Sequence, residues 1–177
     1  MRLARRLIFV LVVVAVSLWL WSVLFPGPER AIRRLLARTA RAVSFTGNEG
    51  PMDQLRQLGE FANCFSPEVE VKFDAPGVGS QSIAGREELL SAAGAARSKG
   101  TPLKVDFLDA SLVLAPDRES ATVDLTVRAG IPGDRDFIVQ EMKFYLKKFG
   151  RAWLIIRAET VKTLSTAQPF ANALPNS

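Results

Sequence analysis

Four charged side chains stand where they could take part in proton transfer. Asp74 closes the alternating segment Val69-Glu70-Val71-Lys72-Phe73-Asp74, and Glu141, Arg157 and Glu159 share one face of two late, β-rich segments. A carboxylate in an apolar cleft is the usual equipment of general acid–base chemistry, because burial and neighbouring charge set its pKa near the working pH. On an outward face the same residues make a solvated ladder of cross-strand pairs. Composition removes the other chemistries. The chain of 177 residues has no histidine and a single cysteine, Cys64. Ser–His and Cys–His nucleophiles, histidine or multi-cysteine metal sites and an internal disulfide are therefore excluded. Cys64 falls on an apolar helical face and reads as a small core residue. Neither a metal nor a cofactor is expected.

The strands decide which way these groups face. Leu103–Leu114, Ala121–Ala129, Asp136–Lys148 and Arg151–Lys162 are rich in Val, Ile and Phe and alternate in polarity. Short Gly- and Pro-bearing connections between them predict antiparallel hairpins. The more apolar face carries Leu108, Leu112, Leu125, Met142, Phe144 and Ile156, with Gln140 and Thr160 as its polar members. These eight residues are expected to line a cavity under the helices, a wall suited to a lipophilic guest and poor in acids or bases. Strict alternation puts Glu141, Arg157 and Glu159 on the other face, together with Trp153 and Ile155. A bulge that switched the phase of the last strand would turn them inward.

Helices precede the strands. On a helical wheel of residues 30–43, Arg30, Arg34, Arg38 and Arg41 gather on one side, opposite Ile32, Leu35, Leu36 and Val43. A second helix begins near Pro51, carries Leu55, Leu58, Phe61 and Phe65 on one side, and ends at Pro67. After the strand ending at Asp74 comes the turn 75–80. Ile83-Ala84-Gly85-Arg86-Glu87-Glu88-Leu89 then opens a third helix that runs to about Lys99, with Gly100 as its cap. Helices first and a long meander last is an α+β order, with three helices packed on one face of a curved, mostly antiparallel sheet.

Ahead of all this, Leu7–Phe25 holds no charge in nineteen residues. As a helix the run covers about 28 Å, close to the hydrocarbon core of a bilayer. Trp19 and Trp21 suit the interfacial belt, and Pro26-Gly27-Pro28 stops the helix. A cleaved secretory signal would have a shorter apolar core and a small-x-small cleavage site, which Trp21-Ser22-Val23-Leu24-Phe25-Pro26 lacks. The expected organisation is a basic cytoplasmic tail (1–6), a single transmembrane signal-anchor (7–25), a linker (26–28), one domain (29–163) and a flexible tail (164–177). The short, basic amino terminus places the domain on the extracytoplasmic, periplasmic side.

The formal charge of +5 follows this division. All of the excess lies in residues 1–6 and 27–41, and the stretch 42–177 carries 15 basic against 17 acidic residues. Arg30, Arg34, Arg38 and Arg41 are therefore expected to face anionic headgroups of the bilayer, the first expected partner. A nucleic-acid domain would keep a basic face in its folded body, so nucleic acid is excluded as a partner.

The layout of helices, strand, Ile83–Leu89 segment and four long strands resembles the nuclear transport factor 2-like superfamily. The last hairpin is similar too: lysines, a Gly turn and Trp-x-Ile appear as Lys147-Lys148-Phe149-Gly150-Arg151-Ala152-Trp153-Leu154-Ile155. The resemblance covers about residues 29–163 and implies a cone-shaped domain with a pocket between helices and sheet, often a homodimer through the outer sheet face. Members of that superfamily include ketosteroid isomerases, scytalone dehydratase and SnoaL-like cyclases as well as noncatalytic transport and assembly proteins. Its Trp-x-Ile commonly points towards the helices, which is the phase that would turn Arg157 and Glu159 inward. Its isomerase branch uses a Tyr on the first helix and a His or Asp base. Here the one tyrosine is Tyr145, and Asp74 is the sole acid placed like a base. The leading expectation is a membrane-anchored, noncatalytic domain that binds a lipophilic small molecule or a partner protein. The alternatives are an assembly component of an envelope or secretion complex, and a lyase or isomerase acting on a lipophilic substrate.

Overall fold

A computed structural model describes Val12, Val14 and residues 27–75, 79–134 and 137–165. Apart from the helical Val12 and Val14, the expected span 7–25 lies outside the described residues, as does the tail from 166. No helix among the described residues is long and apolar enough to cross a membrane.

The first helix, α1 (Pro28–Val43), starts with proline in its first turn and Glu29 beside its positive end, and closes with Arg41 beside its negative one. Ile32, Leu35, Leu36, Thr39 and Ala42 form its buried stripe. The Ser44 hydroxyl donates to the Ala40 carbonyl at 2.8 Å and accepts from the Val105 amide at 3.0 Å, so the end of α1 is tied to the sheet. The second helix, α2 (Pro51–Ala62), contributes Phe61 to the core. It is shorter than its sequence implies and buries less of its apolar side. Leu55 stays 66% exposed, and Phe65 belongs to the following strand. Phe61 and Phe65 still meet edge to face at 4.7 Å.

That strand, β1 (Phe65–Ala75), runs through Pro67, which had been expected only to end a helix. Pro67 has no N–H to give to a ladder, and pairing of β1 with the last strand is interrupted between Phe65 and Glu70. A strand not foreseen, β2 (Gly79–Ala84), pairs antiparallel with β1 along the edge of the sheet. Apart from Ile83 its residues are small or polar and exposed, so no hydrophobic alternation marked it. Gly85, at φ 88°, then turns the chain into α3 (Arg86–Ser98), where the Glu88 carboxylate accepts the Ala84 amide at 3.0 Å.

The remaining strands are β3 (Lys104–Leu114), β4 (Ser120–Gly130), β5 (Phe137–Phe149) and β6 (Ala152–Ser165), within a few residues of expectation. The six-stranded sheet has the order β2-β1-β6-β5-β4-β3, and β1 lies parallel to β6 while every other pair is antiparallel. Register shifts in the β3–β4 and β5–β6 pairs bend it. Its inner face and the three helices share one core, in which Ile32, Cys64, Val69, Val123, Leu146 and Ile155 are all but fully enclosed.

Candidate ligand-binding cleft

Six of the eight residues expected to line an inner cavity lie on the inner face of the sheet. Leu125 and Phe144 are buried in the common core, with Leu112 and Met142 packed against it. Gln140 donates from Nε2 to the Asp74 carbonyl at 2.6 Å and the Thr163 hydroxyl at 3.3 Å. The Thr160 hydroxyl accepts the Asp74 amide at 3.4 Å. These polar groups fasten the end of β1 across β6 to β5 and are already engaged.

Leu108 and Ile156 are corrections. Leu108 sits opposite Thr126 and is 39% exposed on the outer face. Asp109, at φ 50°, is the centre of a bulge that shifts the register between Leu108 and Ser111. Before it Val105 and Phe107 point inward, and after it Ala110, Leu112 and Leu114 do so. Phe107 takes the place foreseen for Leu108, meeting Phe144 edge to face at 5.5 Å. In β6, Ile155 pairs with Leu146 and Arg157 with Tyr145, which leaves Ile156 as the extra residue of a second bulge. Trp153 and Ile155 thus face the core, while Arg157 and Glu159 are returned to the outside.

The candidate acid–base residues accordingly do not converge on an interior site. Glu141 is exposed between Thr126 and Lys162. Arg157 and Glu159 form an ion pair at 3.1 Å, and the Tyr145 hydroxyl donates to Glu159 at 2.9 Å beneath the Arg157 guanidinium. That hydrogen bond, with lesser help from burial, raises the Tyr145 pKa. Lys143 pairs with Asp124 at 3.2 Å, and across β1 Glu70 and Lys72 stand opposite Arg157 and Glu159. This is a charge ladder on the outer sheet face. Asp74 accepts the Ser80 hydroxyl at 2.5 Å on the exposed β1–β2 hairpin. None of the four lines the cleft described next. Arg30, Arg34, Arg38 and Arg41 are all exposed, on the side of α1 opposite its buried stripe.

The cleft lies where the end of α3 meets the β4–β5 turn. One wall is Phe45, Pro102 and Leu103, the other Ile131, Phe137 and Ile138, and the space between is about 390 Å³. Phe45 and Leu103 exchange two backbone hydrogen bonds of 2.8 Å, which makes their wall rigid. Gly47 permits the approach: its φ is +82°, and a Cβ there would fall 2.4 Å from the Gly100 carbonyl oxygen. Beneath Phe45 lies Arg97, 7% exposed, its guanidinium 5.3 Å from the ring centre and bonded through Nη2 to the Ala42 carbonyl. Burial lowers its pKa, against the charge of Glu49, and its Nη1 has no hydrogen-bond partner among the described residues. Lys99, Thr101 and Asp134 form the polar rim. Periodicity could not find this place, since Phe45, Leu103 and Ile131 sit in connections or at strand ends. The available signal was an apolar pair, Ile131 and Phe137, flanking a Pro-Gly turn.

No family profile and no curated protein sequence matches the chain. Solved structures do. A nuclear transport factor 2-like protein of unknown function from Pseudomonas putida KT2440 superposes with a TM-score of 0.59 at 14% identity, over 75% of this chain and 84% of that one. A nuclear transport factor 2-like protein with a cystatin-like fold from Novosphingobium aromaticivorans gives 0.56 at 16% identity, covering 83% and 86%. A putative scytalone dehydratase from the same species gives 0.53 at 18%, covering 82% and 95%. The chain has the nuclear transport factor 2-like, cystatin-like α+β fold, with three helices on a curved mixed sheet of six strands.

Proposed function

We propose that this domain is a noncatalytic binder of a lipophilic small molecule, held at the membrane by its N-terminal span. The observation that carries the reading is the apolar cleft between Phe45–Leu103 and Ile131–Ile138. Its volume falls in the range of small-molecule sites, and Phe137 and Ile131 remain partly open to solvent beside it. Desolvation of such a wall favours an apolar guest by roughly 25 cal/mol per Å² buried. The guest would sit where the end of α3 meets the β4–β5 turn. Binding is preferred to catalysis because Asp74, Glu141, Arg157 and Glu159 stand outside the cleft, on the hairpin and the outer sheet face. The tether rests on the uncharged run 7–25, and the exposed arginines of α1 would then lie near lipid headgroups.

Ala129 lines the cleft from β4 and offers a site at which to fill it. Residues 27–177 should enhance the fluorescence of neutral N-phenyl-1-naphthylamine, and Ala129→Trp should abolish the effect with little change in thermal midpoint. Undiminished uptake by a folded Ala129→Trp variant overturns the assignment.

A further inference from the structure

α1 and α2 enclose a second cleft of about 600 Å³, lined among others by Arg38, Arg41, Arg56, Gln57, Glu60 and Asn63. Three guanidiniums enter it against one carboxylate. Arg38 and Arg41 make no ion pair among the described residues. Arg41 uses its Nε on the Ala37 carbonyl, and Arg56 holds Asp53 at 3.3 Å in a pair so exposed that solvent screens it. The Gln57 amide has its Oε1 buried without a hydrogen-bond partner among the described residues. A solvated face is the ordinary reading of charges on a helix. Here the arginines of α1 succeed one another at spacings of three and four, where like charges repel, and those of the second half face an arginine on another helix across a void.

We propose that the α1–α2 cleft binds a phosphate monoester. Guanidinium forks match phosphate oxygens in bidentate pairs, and Asn63 and Gln57 can supply neutral amide donors. A monoester carries a charge between about −1.5 and −2 at neutral pH, which suits three cations against Glu60 better than the single charge of a diester. The volume leaves room for an organic remainder such as glycerol. The site is separate from the apolar cleft and stands independently of it. The monoester can belong to a lipid headgroup or to a soluble metabolite.

The test uses the full chain in a nonionic detergent at moderate salt, titrated by calorimetry with glycerol 3-phosphate, dihexanoyl phosphatidic acid and dihexanoyl phosphatidylcholine. The first two should bind and the diester should not. R38Q/R41Q, and separately R56Q on the other helix, should weaken binding roughly tenfold or more. R118Q/R151Q removes the same charge at exposed positions outside the cleft lining and should change it little. Phosphatidic acid binding more tightly than glycerol 3-phosphate supports the site and assigns it to lipid, whereas equal affinity supports it and assigns a soluble ligand. Absence of binding, diester binding of equal strength, or an equal loss in R118Q/R151Q overturns the proposal.

Discussion

A single side chain, Arg97, joins three parts of the domain: α3 that bears it, the carbonyl end of α1 at Ala42, and Phe45 on the cleft wall. Its truncation leaves a buried carbonyl unpaired and opens a void under the ring. Arg97→Ala should cost about 2–4 kcal/mol in urea unfolding and slacken the wall that Phe45 forms. A pH effect belongs to Asp106 on the outer face. The Arg128 guanidinium, bonded to it at 2.9 Å, is the main reason its pKa lies below the ordinary value, and Lys104 at 3.7 Å adds to this. A carboxylate lowered in the folded state stabilises fully above its unfolded pKa, about 3.9, and that stability disappears as pH falls through the folded value. Asp106→Asn should therefore destabilise the domain slightly at neutral pH, by well under 1 kcal/mol for so exposed a pair, and lower its thermal midpoint accordingly. The difference from wild type should vanish at the acid end. A constant difference across the range would refute it.

Among the elements, long amphipathic segments were legible and breaks in their phase were not. The β4 and β5 faces follow alternation, so Leu125, Gln140, Met142 and Phe144 point where polarity places them. Leu108 does not, because one left-handed residue, Asp109, exchanges the faces of β3 midway. Nothing in Leu-Asp-Ala-Ser distinguishes that bulge from an ordinary outward acid. The Ile156 bulge similarly reconciles an inward Trp153 with an outward Glu159, whereas an unbroken strand must choose between them. Edge strand β2 escaped for another reason, since a strand paired on one side and exposed needs no apolar residues. A β-branched residue resists the conformation at Asp109. Asp109→Val should thus cost about 1–2 kcal/mol, while Asp109→Gly should be close to neutral, both read from urea midpoints.

At the scale of the whole molecule, positive charge and apolar length are gathered at one end of the chain, ahead of a nearly neutral domain. If Leu7–Phe25 anchors the protein, alkaline carbonate washing should leave the full chain in the membrane pellet, and its amino terminus should precede residue 7. Release into the supernatant would remove the tether from the proposal. The parallel contact of β1 with β6 has a consequence for synthesis. The helices and the β1–β2 hairpin leave the ribosome first, but β1 gains its second neighbour only when the final strand is made. Until then one side of β1 is an open row of amide and carbonyl groups, and closing so long a loop is slow. Glu70 and Lys72, which end up in the outer charge ladder, meanwhile discourage a stray strand from settling there. Those charges guard the nascent chain before they have partners to hold.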